Sequence, residues 1–219
     1  MAPTVWCVVV AAGSGARFGG PKQFETLGDR RVLDWAVGDA RSVTGSEGCG
    51  VVVVVPADRV GAGMPGVTVV AGGDTRSASV RAGLAVVPAT ADIVVVHDAA
   101  RPFAGAALFD SVVQAVAGGA DAAVPGVAVA DTLKRVEGGE VVETIDRAAV
   151  VAVQTPQAFR AEVLRRAHEG APDATDDAAL VEAAGGRVQV VAGSADNFKI
   201  TTPDDLERAR RARSPATGA

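Results

Sequence analysis

The chain has 219 residues, 48% hydrophobic and 21% charged, with a net charge of -5. That length fits one α/β domain with a core of its own, and the composition excludes disorder and the broad basic field of a nucleic-acid binder. The longest apolar run, Val5 to Ala12, has eight residues. Roughly 20 are needed to cross a bilayer, and no basic segment precedes the run, so neither a membrane span nor a secretory signal is expected. Cys7 and Cys49 lie in apolar, strand-like surroundings that point to neither a disulfide framework nor a zinc site. A soluble cytoplasmic protein is the expectation. Of the 21 basic residues, 18 are Arg and three are Lys, at positions 22, 134 and 199. Chance explains any one of those lysines. A lysine kept in so arginine-rich a chain can also mark a place where a compact ammonium works and a planar guanidinium does not.

Val5–Val10 is the first predicted strand, without polar alternation, as for a parallel strand covered on both faces. It runs into Ala11, Ala12, Gly13, Ser14, Gly15, Ala16, Arg17, Phe18, Gly19, Gly20, Pro21 and Lys22. A glycine-rich loop after a first strand lets backbone N–H groups approach phosphate oxygens. This one lacks the GK[ST] ending of a P-loop, and position 18 is Phe where a dinucleotide fingerprint starting at Gly13 needs Gly. Two cations, Arg17 and Lys22, stand beside the place for phosphates, which suits a transfer that builds charge there. An ordinary turn with surface cations is the alternative. Helical spacing follows over Val32–Val43, then strands over Val51–Val55 and Val67–Val70. The next loop, GGDTRSASV, brings Gly73, Asp74, Ser77 and Ser79 to the start of a helix over Ser77–Val87, where hydroxyls either cap backbone amides or hold a ligand.

Ile93–Val96 is a fourth strand, ending in His97 and Asp98. A carboxylate at that place suits a Mg²⁺ shared with substrate phosphates, whereas His97 reads as a packed strand-end residue. After a helix over Ala107–Ala117, the stretch Asp131–Asp146 breaks the rhythm and reads as a hairpin turning at Gly138–Gly139. Its sides are too polar for a core, so it is expected to project as an arm. The segment DNFKIT holds Lys199, and the tail Ser214–Ala219 is expected to fray. No linker or internal repeat divides the chain. The pattern predicts one domain over residues 1–219, a Rossmann-like, mostly parallel sheet with helices on both faces and an arm at about 131–146. In such folds ligands bind beyond the carboxyl ends of the strands.

AAGSGARFGGPKQF, GGDTRSASV, VHDAARPF, DTLKR, TPQAF, TDDAA and DNFKIT occur here in the order found in another set of proteins. From about Val5 to about Leu206 the chain resembles the 2-C-methyl-D-erythritol 4-phosphate cytidylyltransferases of isoprenoid biosynthesis. The resemblance implies a nucleotide-diphospho-sugar transferase type of fold and a reaction of CTP with methylerythritol phosphate, giving CDP-methylerythritol and pyrophosphate, with Mg²⁺. It implies that Ala11, Ala12, Gly13, Gly73, Asp74 and Ser79 bind the nucleotide, and that Arg17 and Lys22 meet charge on the α-phosphate and the leaving pyrophosphate. Asp98 would hold the metal. Arg101, Thr132, Arg147 and Lys199 would grip and aim the polyol phosphate, with Ala99 and Thr201 also in the binding set. Members are commonly homodimers whose arms reach the neighbouring site, and no nucleic acid or membrane partner is implied. Ribitol-5-phosphate cytidylyltransferase is the nearest alternative, although HDAARP and TDDAA favour the methylerythritol enzyme. An NAD-dependent oxidoreductase is opposed by the glycine spacing. A catalytically silent nucleotide-binding regulator is opposed by the intact set of Arg17, Lys22, Asp98 and Lys199.

Overall fold

The computed structural model describes residues 2–45 and 47–213. In chain order it forms β1 (Val5–Val10), a 3-10 turn (Lys22–Phe24), the short pair β2 (Thr26–Leu27) and β3 (Arg30–Arg31), α1 (Val32–Arg41), β4 (Gly50–Val55) and β5 (Thr68–Ala71). Then follow α2 (Arg76–Leu84), β6 (Ile93–Asp98), α3 (Gly105–Ala117), β7 (Ala122–Ala128), β8 (Leu133–Glu137) and β9 (Glu140–Ile145). The last elements are β10 (Val151–Val153), β11 (Gln157–Arg160), α4 (Ala161–Ala167), α5 (Asp177–Ala183), β12 (Val188–Ala192) and α6 (Pro203–Arg213).

The main sheet has the order β10-β7-β11-β6-β1-β4-β5, with β12 on the other edge of β7. Its half from β5 to β6 is parallel, as the buried valine runs predict. The two faces sort by residue parity. Along β1, Val5, Cys7 and Val9 pack with Leu33 and Ala36 of α1 and Phe109 of α3. Val8 points to the opposite face, against Val80 of α2 and Leu164 of α4. Period-2 alternation thus fills two cores from one strand. A third cluster joins Leu27 and Val32 to Ile200 and to Leu206 and Ala209 of α6, with Phe18, Trp35, Phe103 and Phe198 packed against it.

The chain passes from β1 to β4 and β5 on one side, then returns to β6 on the other side of β1. That reversal opens a crevice at the carboxyl ends of β1 and β6, where Val10 and Asp98 are in register. Beyond β6 the sheet differs from simple strand–helix repetition. The antiparallel strand β11 inserts between β6 and β7, and β10 is also antiparallel to β7.

Strands β8 and β9 pair with each other in a separate two-stranded sheet. Gly138 and Gly139 both have positive φ, 57° and 90°, as a two-residue hairpin turn requires. Val136, Val141 and Val142 on this hairpin are exposed. Neither cysteine is in a disulfide, and burial pushes the Cys7 thiol up. Among the described residues no helix is long and apolar enough to cross a membrane. The expected fraying of 214–219 lies outside the described residues.

Candidate active site

The loop after β1 is built around backbone contacts. The Ala11 N–H donates to Val54 O at 2.7 Å, and the Gly15 carbonyl accepts from Phe18, Gly19 and Gly20 at 2.8, 3.0 and 3.3 Å. Gly15 has φ +70°, and a Cβ there would lie 1.7 Å from Gly20 O, so only glycine closes this turn. Buried Gln23 donates its amide to Ala11 O at 2.6 Å and to Gly13 O at 3.0 Å, clamping both ends of the bend. The loop after β5 packs directly on it, since a Cβ on Gly72 would come within 2.3 Å of Ala12 Cβ. Between the loops lies a cavity of about 460 Å³, reaching Lys22, Asp98 and Lys199.

At the start of α2 the cap is Thr75, whose hydroxyl accepts from Ala78 N at 3.0 Å and donates to Asp173 at 2.7 Å. The two serines therefore do other things. Ser79 donates to Gly73 O at 3.3 Å and lines the cavity, while buried Ser77 accepts from Ala174 N at 3.3 Å. Arg76 is the first residue of this helix. A cation there opposes the helix dipole. Its compensation is a pair of carboxylates, Asp98 at 3.3 Å and Asp177 at 2.7 Å.

Asp98 is the hub of the site. Lys199 Nζ lies 2.6 Å from one carboxylate oxygen and Arg76 Nε 3.3 Å from the other. Burial alone would raise the carboxyl, but Lys199 and Arg76 hold it far below the ordinary carboxylate range. Its backbone N–H donates to the Thr155 hydroxyl at 3.0 Å. Thr155 in turn donates to His97 Nδ1 at 3.1 Å, and His97 Nε2 donates to Arg101 O at 3.1 Å. Burial pushes His97 down to about 4, so it is neutral at pH 7. With both nitrogens engaged in backbone and hydroxyl contacts, it is a strand-end strut rather than a base.

Lys199 is aimed by a polar knot. Buried Asn197 donates to Gln154 Oε1 at 3.2 Å and to Thr155 O at 2.9 Å, and Arg101 donates to Asn197 O at 2.7 Å. On this side of Asp98 lies a second cavity of about 260 Å³, lined by Arg101, Gln154 and Thr155 and sharing Arg76, Asp98 and Lys199 with the first. Among the described residues no ion pair holds Lys22. Burial and the nearby charges of Lys199 and Arg17 lower its pKa. Cations crowded together in this way favour an anionic ligand.

Of the residues singled out in the sequence, Ala11, Ala12, Gly13, Lys22, Gly73, Asp74, Ser79, Asp98, Ala99 and Lys199 line the larger cavity, and Arg101 lines the smaller. Arg17 is exposed beside Lys22. Thr201 lines neither cavity and instead donates its N–H to Asp205 at 2.8 Å, at the start of α6. Thr132 and Arg147 also line neither cavity. They are exposed at the foot of the hairpin, where the Arg147 guanidinium donates to Ala130 O. Sequence reasoning gave no role to Gln23, Arg76, Gln154, Asp177 or Asn197. Of these only Arg76 carried a usable signal, its unfavourable charge at a helix start. No cluster of three or more His, Cys, Asp or Glu suited to a metal occurs among the described residues.

The sequence model of the 2-C-methyl-D-erythritol 4-phosphate cytidylyltransferases matches residues 5–212. A protein of that name from Rhodococcus jostii is 48% identical, with 94% of this chain and 93% of that protein covered. A bifunctional IspD/IspF enzyme of Rhodospirillum rubrum is 45% identical over 94% of this chain and 56% of its own length. The chain thus spans about half the length of such bifunctional relatives. The crystal structure of the cytidylyltransferase from Thermus thermophilus superposes with a TM-score of 0.78 at 38% identity, covering 94% of this chain and 96% of that one.

Proposed function

The chain belongs to the 2-C-methyl-D-erythritol 4-phosphate cytidylyltransferase family, and from that premise we propose that it transfers the cytidylyl group of CTP to 2-C-methyl-D-erythritol 4-phosphate. The products are 4-diphosphocytidyl-2-C-methyl-D-erythritol and pyrophosphate. The observation that carries this reading is the pair of cavities sharing Asp98, Arg76 and Lys199, with Lys22 held near Lys199 and Arg17. CTP would occupy the larger cavity, its base against the backbone of Ala11–Gly13 and Gly73–Ser79. The acceptor phosphate would meet Arg101 and Lys199 from the smaller one.

The chemistry then needs little beyond charge and aim. A phosphate monoester has its second pKa near ~6 and is already a nucleophile at neutral pH. One of its oxygens attacks the α-phosphorus as the bond to the β-phosphate oxygen breaks, and pyrophosphate leaves with the electron pair. Arg17 and Lys22 stabilise the charge arriving on that leaving group, and Lys199 and Arg101 hold the attacking phosphate in line. Neutral His97, fully engaged in the Thr155–Arg101 chain, fits a reaction with no general base.

Mg²⁺ fits in one way. Asp98 uses one acceptor position on each oxygen for Arg76 and Lys199, leaving others open, and a single carboxylate supplemented by phosphate oxygens and water suits this ion. Asp98 would hold it. When bound, the ion neutralises triphosphate charge.

The dimer belongs to the same reading. Thr132 and Arg147 sit at the foot of a hairpin with exposed valines and line neither cavity of their own chain, so we assign them to the site of a second copy. The reaction is taken to be cytoplasmic because its triphosphate substrate does not cross membranes unaided. A pyrophosphate-release screen of CTP against methylerythritol phosphate, ribitol 5-phosphate and simple sugar phosphates tests the proposal. Methylerythritol phosphate should be turned over far better than the others, and preference for ribitol 5-phosphate would overturn the acceptor assignment.

A further inference from the structure

Asp177 lies at the start of α5, fully buried and outside both cavities. Its carboxylate accepts from Arg76 Nη1 at 2.7 Å and from His168 Nε2 at 3.0 Å. Arg76 then spans to Asp98 at 3.3 Å, and Asp98 to Lys199 at 2.6 Å. The four charges alternate in sign along an unbroken chain of contacts from the protein interior to the wall shared by both cavities. A carboxylate so fully buried is costly unless paired and hydrogen-bonded, and its pairing here runs through Arg76 to the cavity wall.

The geometry points to Asp177 as a positioning residue for the transfer: by holding Arg76 from behind, it fixes the rotation of the Asp98 carboxylate and with it the direction of the Lys199 ammonium. Two details support this. Arg76 places its rigid fork on two carboxylates at once, which an ammonium does not match. The Asp98 backbone is pinned independently by Thr155, so rotation of its side chain is the freedom left for Arg76 to remove. The inference rests on the cytidylyltransferase reading for its kinetic consequences, not for the contact itself.

The test is a double-mutant cycle with a spectroscopic readout beside it. Asp177→Asn keeps the shape and removes the charge. It should lower kcat about tenfold, within the usual coupling of neighbouring charged residues, without raising the KM for CTP. Arg76→Ala should lower kcat further, and adding Asp177→Asn to it should change kcat by less than about twofold, because the carboxylate then has nothing to aim. Fully multiplicative effects, or normal kcat in Asp177→Asn, would overturn the proposal. If Arg76→Ala does not fold by circular dichroism, Arg76→Met, which fills more of the space but carries no charge, takes its place in the cycle. Independently of any substrate, the Arg76 Nε–H signal, identified by its loss in the Arg76 variant, should exchange with water about tenfold faster in Asp177→Asn. Unchanged exchange would overturn the positioning claim. Failure of the wild type to turn over methylerythritol phosphate with normal exchange behaviour would instead fault the functional reading.

Discussion

Replacing Lys22 by Met separates catalysis from stability, because the two effects are expected to have opposite signs. In the free protein Lys22 is partly buried, held in no ion pair among the described residues, and faces the charges of Lys199 and Arg17. Removing a like charge from such a partly solvated cluster relieves about 0–1 kcal/mol, which for a chain of this size corresponds to a rise in Tm of up to about 2–4 °C. The same change removes a cation from the leaving pyrophosphate. Losing one preorganised contact to developing charge costs ~10²–10³ in rate, about 2.7–4 kcal/mol. Thermal melts and pyrophosphate release measured on the same preparations check both. The pH dependence has a worked sign as well. A lysine with a lowered folded pKa is a burden fully present below that pKa. It is relieved as pH rises through the folded pKa toward 10.5, because the unfolded chain binds more protons in that window. Stability at alkaline pH should therefore gain from this group while kcat/KM falls on a limb below 10.5. A Lys22→Met protein that melts earlier than wild type, or works within about tenfold of it, would refute the reasoning.

Asp98→Asn should remain folded and lose Mg²⁺-dependent turnover, checked by metal titration of activity alongside far-UV circular dichroism. Gly15→Ala forces a Cβ to within 1.7 Å of Gly20 O at a φ of +70°, so the loop must open; CTP affinity measured by calorimetry should fall at least about tenfold. Lys22→Ala and Thr132→Ala proteins should each be poor enzymes alone. Unfolded together and refolded as a mixture, they should regain roughly a quarter of wild-type activity, since one site in four is intact under random two-fold pairing. No gain in demonstrably mixed dimers would assign Thr132 to its own chain.

The parts of the fold read directly from sequence are those where one physical effect dominates. Strand β1 is an apolar run, β4 and most of β6 are runs of buried β-branched residues, and Gly138–Gly139 has one favoured hairpin conformation. Strand β7 is different. Its sequence, AAVPGVA, has weak strand propensity and includes a proline, and its pairing with β10, β11 and β12 comes from distant parts of the chain. The antiparallel insertion of β11 was hidden for the same reason: four residues, Gln157–Arg160, carry no period of their own. Helix α2 buries Ser77, Ser79 and Gly83 alongside Val80 and Leu84, and a Cβ on Gly83 would come within 2.5 Å of Val8. Small residues that allow close approach dilute the apolar stripe, and the real cap, Thr75, precedes the serines.

The site divides along a similar line. Lys22, Asp98 and Lys199 sit in loops and at a strand end, where their charges advertise chemistry. Asp177 opens a helix, where an acidic residue is ordinary, so nothing local distinguished it from a favourable dipole contact. Gln23 and Asn197 act on backbone groups that only the folded chain brings near. Thr132 and Arg147 line neither of the two cavities that meet at Asp98.

If the cytidylyl group passes directly onto the acceptor phosphate at the wall formed by Asp98 and Lys199, an oxygen of that phosphate becomes the bridge between the two phosphorus atoms. Methylerythritol phosphate carrying ¹⁸O at every non-bridging phosphate oxygen, incubated with CTP, Mg²⁺ and the protein, tests it by ³¹P NMR. All of the label should stay in the product diphosphate, one labelled oxygen now bridging the two phosphorus atoms, while pyrophosphate is unlabelled. Label in pyrophosphate, or an unlabelled bridge, would contradict it.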